Sequence, residues 1–421
     1  MSDNKLKKMN IPFSPPDITE REIEEVGNAL RSGWITTGPR TKKLEKLIAN
    51  YVGVGLEKET PRCVCLNSQT ACQEMALHLL GIGEGDEVIV PAYTYTASAS
   101  VIAHVGAKIV MIDSMKDSFE MDYNLVEEAI TEKTKAIIPV DLGGVPCDYD
   151  KLFEIVNRKK NLFKPNNKIQ ESIGRIAIMA DTAHSFGGRI GNFMCGNIAD
   201  FSSFSFHAVK NFTTAEGGAL TWKHIEGIDD EEIYHKLQLF SLHGQSKDAL
   251  KKNQPGQWEY DIIGTWYKCN MTDVVAAIGL VQFERYPEML LKRKNIIEKY
   301  NNAFKDLGVI GLDHYNERHT SSGHLYISRV FKKNGNPISD NERREIIIKM
   351  AERGISCNVH YKPLPMHTAY KNLGFDINNY PNAYNHYLNE ITLPLYTTLT
   401  DDEVDYIIEC YKDILKDYVN M

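Results

Sequence analysis

The stretch FSSFSFHAVKNFTTAEGGALTW, residues 201–222, holds two short apolar runs on either side of a polar loop. The runs 201–206 (FSSFSF) and 218–222 (GALTW) are too short for stable helices and read as buried strands. Runs of the same kind precede them at 62–67 (RCVCLN), 87–91 (EVIVP), 108–113 (KIVMID), 135–141 (KAIIPVD) and 176–181 (IAIMAD). Helix-period segments lie between. Near-continuous apolar strands alternating with helices are covered on both faces, so the pattern predicts an α/β fold with a mostly parallel, seven-stranded sheet between helices.

Upstream, Thr19 and Glu22 are spaced as a capping box for a helix over 18–30, with Ile23, Val26 and Leu30 as its apolar stripe and Gly33 as its stop. A second amphipathic helix runs through Leu44, Leu47 and Tyr51. Strand–helix alternation fades after about residue 225, and 268–291 is apolar-periodic and helical. The chain ends in a helix capped by Thr400 and Glu403 and carried by Val404, Ile407, Ile408 and Ile414. Two units are therefore expected: residues 1–300, an N-terminal segment plus a large domain, and residues 301–421, a smaller C-terminal α+β domain. The polar stretches 157–172 and 246–257 read as surface insertions.

The 421 residues carry 48 basic and 56 acidic side chains, a net charge of −8, which lacks the footprint of a nucleic-acid binder. No run approaches the roughly 18–20 apolar residues of a membrane span. Residues 1–10 (MSDNKLKKMN) are basic but lack the apolar core of a secretory signal. The eight cysteines are scattered without a repeated CxxC pair and read as reduced, buried thiols. A cytoplasmic protein with no nucleic-acid partner and no membrane insertion is expected.

Several chemistries find no anchor. The segment 81–85 (GIGEG) ends a helix and precedes a strand, the reverse of a dinucleotide loop, and reads as a helix cap and turn. Gly-Lys, HExxH and GxSxG motifs are absent. His360 and His367 stand seven apart, but structural or substrate-contacting roles fit them better than metal binding. No metal is expected.

What remains lies at strand ends. The run 62–67 opens into Ser68, Gln69 and Thr70 at a helix start, where free N–H groups and the helix dipole suit a phosphate, or merely cap the helix. The run 176–181 ends in Asp181, a carboxylate that needs a cation or several donors, or caps the following loop. Lys210 follows the run 201–206; burial there lowers an amine's pKa as a Schiff-base lysine requires, unless the side chain snorkels out. Ligands of parallel sheets bind beyond the carboxyl ends of the strands. Phosphate cradle, reactive amine and carboxylate are together what pyridoxal 5'-phosphate requires. Tyr95, after the run 87–91, is placed to stack on its ring.

At this point 205–218 (SFHAVKNFTTAEGG) resembles the lysine signature of the DegT/DnrJ/StrS sugar aminotransferases, fold-type I (aspartate-aminotransferase-like) PLP-dependent transferases. Further matches span nearly the whole chain: 34–39 (WITTGP), 85–91 (GDEVIVP), 181–184 (DTAH), 267–279 (YKCNMTDVVAAIG) and 354–361 (GISCNVHY). The resemblance implies that residues 1–300 contain the PLP-binding domain, with Lys210 as internal aldimine, Asp181 on the pyridine nitrogen and His184 near the ring hydroxyl. It puts Ser205 and the turn of Ser68, Gln69 and Thr70 on the phosphate. Gln69 replaces a commonly smaller residue, which suits a contact through its backbone N–H. A homodimer with shared active sites is implied, the segment 267–271 reaching the partner's phosphate. Many members carry Asn-Tyr-Arg there; this chain offers Lys268 or Asn270 for the contact. Trp34, His324, His360 and Tyr361 are the expected substrate contacts.

The implied reaction is ping-pong: L-glutamate gives its amino group to the cofactor, and pyridoxamine phosphate then aminates the ketone of a nucleotide-linked sugar. The segments 357–370 and 322–326 look most like those of enzymes aminating C4 of UDP-2-acetamido-4-keto-2,4,6-trideoxyhexoses, which supply surface polysaccharides such as O-antigen or capsule. Three rivals are a pyridoxamine-dependent sugar dehydratase, a non-catalytic regulatory protein on the same fold, and an ordinary amino-acid aminotransferase, whose characteristic arginine context is found in no motif here. The first commonly replaces the lysine by histidine, and Lys210 argues against it.

Overall fold

The computed structural model describes residues 8–55, 62–247 and 259–419. Seven strands form one sheet in the order Cys63–Leu66, Gly218–Trp222, Phe201–Ser205, Ala177–Asp181, Thr134–Ile137, Glu87–Pro91, Lys108–Ile112. Gly218–Trp222 runs against both neighbours, and every other pairing is parallel. The expected mostly parallel α/β sheet is present. Alternate residues along each strand serve opposite faces. Val88, Val90, Ala177 and Met179 meet Met75, Leu79 and Val101 of the covering helices on one side. Ile89, Ile137 and Ile178 meet Leu152 and Ile155 on the other.

The expected strand 135–141 is shorter, Thr134–Ile137. Pro139 has no N–H to give the ladder, and its carbonyl instead accepts the N–H of Asp181 at 2.8 Å. The chain then turns at Leu142–Gly144. The expected helix over 268–291 begins later and runs further, as Asp273–Phe304. Lys268 and Asn270 are spent instead on bridges to Leu242 and Leu66.

Asp273 welds two distant segments. Its buried carboxylate accepts the N–H groups of Gly38 (2.8 Å), Arg40 (3.0 Å) and Thr41 (2.9 Å) and the Thr41 hydroxyl (2.8 Å). The helix Pro39–Val52 starts at Gly38, which has no side chain to cap it. Asp273 supplies the missing acceptor and complements the positive end of the dipole.

The stretch 157–172, expected as a surface insertion, has a structural task. Gln170 is buried, and its amide donates to the carbonyl of Leu80, while Asn167 donates to that of Leu79 and Asn166 to that of Gly81. These carbonyls end the helix Gln69–Leu79 and lack intrahelical partners. Residues 248–257 of the second polar stretch, and 1–7 of the basic start, lie outside the described residues.

The first helix, Glu20–Arg31, carries the expected capping box. Its apolar stripe, however, is turned outward: Ile23 and Leu30 are 57% and 55% exposed. The inward side is polar, with Glu22 paired to Arg285 at 2.7 Å and bonded to Gln282.

Beyond the long helix, Val309–Gly311, Tyr326–Val330 and Glu390–Leu393 form an antiparallel sheet. The helices Asp340–Glu352 and Asp401–Val419 pack with it through Ile346, Met350, Val404, Ile407 and Ile414. Thr400 and Glu403 bond reciprocally at the start of the last helix, as expected. Ile11, from the N-terminal segment, is buried in this same core. Among the described residues the eight cysteines are free, and no helix is long and apolar enough to cross a membrane.

Candidate active site

The carboxyl ends of the parallel strands enclose a cavity of about 350 Å³. Ser68, Gln69, Thr70, Tyr95, Asp181, His184, Ser205, Lys210 and Tyr361 line it, together with Thr94, Ala97, His207 and Glu216.

The lysine loop is shaped by its hydroxyls. Thr213 donates to the carbonyl of Phe206 (3.1 Å) and accepts from the N–H of Ala215 (2.9 Å), holding Ala215 in a left-handed conformation. The Thr214 hydroxyl reaches the carbonyl of Glu216 at 2.9 Å. Gly218 then passes so close to the 68–69 turn that a Cβ on it would lie 2.5 Å from the nitrogen of Gln69. Glycine is required there, and its absence of side chain brings the lysine loop against the phosphate turn. Within this loop Lys210 loses hydration, which pushes its amine down to about 8, with the charge of Asp181 opposing. An amine so shifted offers its neutral, nucleophilic form near neutral pH.

Ser68 caps the helix Gln69–Leu79 by accepting the N–H of Ala71 at 3.1 Å. The first-turn N–H groups of Gln69 and Thr70 therefore open toward the cavity end of the helix dipole. The Gln69 side chain turns inward, donating to Gln73 (2.7 Å) and Ser203 (3.0 Å). Its greater size costs the cavity nothing.

Asp181 is buried, and its carboxylate accepts the Ser98 hydroxyl (2.7 Å) and the N–H of Ala183 (3.1 Å). Thr94 bonds Ser98 in turn at 2.9 Å. Burial pushes the carboxyl above its ordinary value, while Ser98, the Ala183 N–H, Lys210 and Gln69 pull it back. A cationic ring nitrogen would complete this half-satisfied carboxylate. The cavity's cradle, amine and carboxylate thus fit pyridoxal phosphate.

His184 accepts the N–H of Gly143 on Nδ1 (3.2 Å) and meets the Tyr361 hydroxyl through Nε2 (3.2 Å). Burial and the nearby Lys210 hold it well below the ordinary imidazole range, so it is neutral. Tyr95 stands at the mouth, 60% exposed, its ring 5.8 Å from that of Tyr361.

Five expected site residues do not line the cavity. His324 lies behind His184, its ring centroid 4.4 Å away, and is tied to Asn211 at 2.8 Å. The His360 ring stacks on Phe13 and bonds Thr392, facing the small sheet. Trp34 packs beside Gly38 in the turn that Asp273 holds. Lys268 bonds Asn270, whose amide donates to Thr37 at 2.6 Å. The carbonyl of Cys269, between them, accepts the N–H of Asn67 at 2.7 Å, so this segment braces the strand leading to the phosphate turn. Sequence reasoning missed Ser98, Asp141, Ser185 and Asp273. Asp141, which ends the run 135–141 as Asp181 ends 176–181, and Ser98, three residues past Tyr95 at the start of the helix Ala97–His104, carried a local signal.

Residues 16–412 match the model of the DegT/DnrJ/EryC1/StrS aminotransferase family. The spore coat polysaccharide biosynthesis protein SpsC of Bacillus subtilis is 36% identical over 411 residues, 96% of this chain and 97% of that protein. Among solved structures, the putative sugar aminotransferase Spr1654 from Streptococcus pneumoniae in its PMP form superposes with a TM-score of 0.92 at 57% identity, covering 97% of this chain and 100% of that one. Its PLP form gives a TM-score of 0.91 at 55% identity, covering 97% of this chain and 99% of that one.

Proposed function

Because the chain belongs to the DegT/DnrJ/EryC1/StrS aminotransferase family, we propose that it is a pyridoxal 5'-phosphate-dependent sugar aminotransferase that moves an amino group from L-glutamate to the C4 ketone of a nucleotide-linked 4-keto-6-deoxy sugar. The carrying observation is the convergence of Lys210, Asp181 and the 68–70 helix start in one cavity. The cofactor, when bound, supplies an electron sink for carbanion chemistry. Lys210 would anchor it through its amine, and that amine, once free, would serve as the group that carries the proton to and from the substrate carbon. Asp181 would keep the ring nitrogen protonated, His184 would serve the ring hydroxyl, Tyr95 would stack on the ring, and the N–H groups of 68–70 with Ser205 would hold the phosphate.

The sugar is proposed to be a UDP-2-acetamido-4-keto-2,4,6-trideoxyhexose and the product to serve a surface polysaccharide in the cytoplasmic stage of its synthesis. The role of SpsC in spore coat polysaccharide biosynthesis supports that direction. We further propose a homodimer. Its support is an apolar groove of about 290 Å³ between Ile18 just before the first helix, Ile23 and Val26 on that helix, and Ala208 and Ala215 of the lysine loop. Ile35, Tyr95 and Val209 add exposed apolar surface. A second copy on this face explains the outward stripe of the first helix. In such a dimer Lys268 or Asn270 reaches the partner's phosphate.

The test is incubation of the enzyme with glutamate and a panel of UDP- and dTDP-linked 4-keto sugars, the product's C4 configuration being assigned by NMR. Amination of the UDP-N-acetyl sugar is the expected result. Exclusive use of dTDP sugars overturns the substrate while leaving the chemistry standing.

A further inference from the structure

Below the cavity lies a polar cluster that the chemistry above does not use. Asp141 is fully buried, with no cation bonded to it among the described residues, yet its carboxylate is richly served. One oxygen accepts the Cys147 N–H (3.0 Å) and the Tyr149 hydroxyl (2.8 Å); the other accepts the Ser185 hydroxyl (2.6 Å). Its backbone continues the same links: the Asp141 N–H donates to the carbonyl of Asp181 (3.1 Å), and its carbonyl accepts from Gly144 (3.1 Å). Asp141 thus joins the turn 141–144 to the loop that carries both Asp181 and His184.

That turn aims one N–H at the active site. The N–H of Gly143 points at His184 Nδ1, so Nδ1 must be the unprotonated nitrogen and Nε2 must carry the proton. Gly144, at φ +94°, lies against the carbonyl of His184, where a Cβ would come within 3.0 Å. The neighbouring His324 is held the opposite way. The Asn211 amide nitrogen donates to the carbonyl of Ser322 (2.8 Å), which leaves its oxygen to accept a proton from His324 Nδ1. Two rings 4.4 Å apart are set in opposite tautomers, one by the Gly143 backbone N–H and the other by the Asn211 side-chain oxygen.

We propose that Asp141 is a positioning residue: through the 141–144 turn and the Ser185 hydroxyl it locks His184 in the tautomer that presents Nε2–H to the cofactor cavity. A donor at that place pairs with an ionised ring oxygen and with the Tyr361 hydroxyl; the other tautomer would present a lone pair and repel the ring oxygen. The function assigned to this donor rests on the proposed cofactor, but the tautomer itself does not. Around Asp141 stand Ser185, Cys147, Tyr149, Cys195 and Asp181. Burial pushes its carboxyl up to about 6, against the pull of Ser185, the Cys147 N–H and Tyr149.

The experiment reads histidine nitrogen shifts by NMR in the cofactor-free protein, with isotopically labelled histidine and His184→Gln to assign the signal. Wild type is expected to show His184 as one tautomer, pyridine-like at Nδ1 and pyrrole-like at Nε2. Asp141→Ala should split it into two comparably populated tautomers. Asp141→Asn should restore the single form, because its carbonyl keeps Cys147 and Tyr149 while its amide donates to Ser185. Where Asp141→Ala fails to fold, Ser185→Ala takes its place, with the same splitting expected. A proton on Nδ1 in wild type, or an unsplit signal in the folded variant, overturns the proposal. Because the readout uses unloaded protein, failure of the aminotransferase reading would leave this pattern intact.

Discussion

Lys210→Ala is expected to lower transamination by at least about 10³-fold, because the variant loses both the covalent anchor and the base that moves the proton. The cavity supplies no substitute. His184 is held neutral well below its ordinary range and lies behind a fixed hydrogen bond from Gly143. His207 is paired with Glu216 at the mouth. The fold should persist, since Lys210 sits at the end of a loop shaped by Thr213 and Thr214 rather than by the lysine itself. Added small primary amines should restore part of the rate, as they enter the space that the side chain vacates. Steady-state rates with and without such an amine, and circular dichroism of the variant, check this. A variant that turns over at the wild-type rate contradicts the role given to Lys210.

Asp181→Asn should separate activity from stability. With the cofactor bound, the carboxylate faces developing charge in a dry site, and its loss is expected to cost about 10²–10³ in kcat. Without cofactor the same carboxylate is a burden, since burial raises its pKa above the ordinary 3.8. The sign follows from proton linkage: a native state that holds the proton more tightly than the unfolded chain loses stability as pH rises from that unfolded value. The unloaded variant should therefore melt at or above the wild-type temperature at pH values above the raised pKa of Asp181, and the difference should shrink as pH falls back toward the ordinary carboxylate value. Paired melting curves with and without cofactor test it, because the cofactor should stabilise wild type more than the variant. An unloaded variant that melts well below wild type at neutral pH contradicts the description of Asp181 as an incompletely satisfied carboxylate.

Much of the site was legible because its parts sit where strands end. Apolar runs mark the strands, and whatever polar residue follows a run is delivered to the cavity edge; Ser68, Asp181, Ser205 and Lys210 all arrive there in this way. The contacts that hold those residues were not legible, since they join segments far apart in the chain. Asp273 caps a helix that starts at Pro39, and Asp141 grips Ser185. Asp273 leaves no local pattern, whereas Asp141 ends the apolar run 135–141 just as Asp181 ends 176–181. The outward stripe of the first helix shows the opposite failure, where a helical period was visible but not which side it would face. The stretch 157–172 looked like an insertion because it is polar. Its amides are polar for a buried reason, the orphan carbonyls of Leu79, Leu80 and Gly81. His324 and His360 lie in segments that resemble the family's site, yet both rings turn to structural partners.

The proposed exchange of an amino group between glutamate and a cofactor held on Lys210 is tested most directly by the half-reaction alone, with purified protein reconstituted with pyridoxal phosphate and glutamate added without any sugar. The yellow absorbance band should be lost, and about one equivalent of 2-oxoglutarate should appear per chain and no more. A band that glutamate leaves unchanged, with no 2-oxoglutarate released, would contradict it.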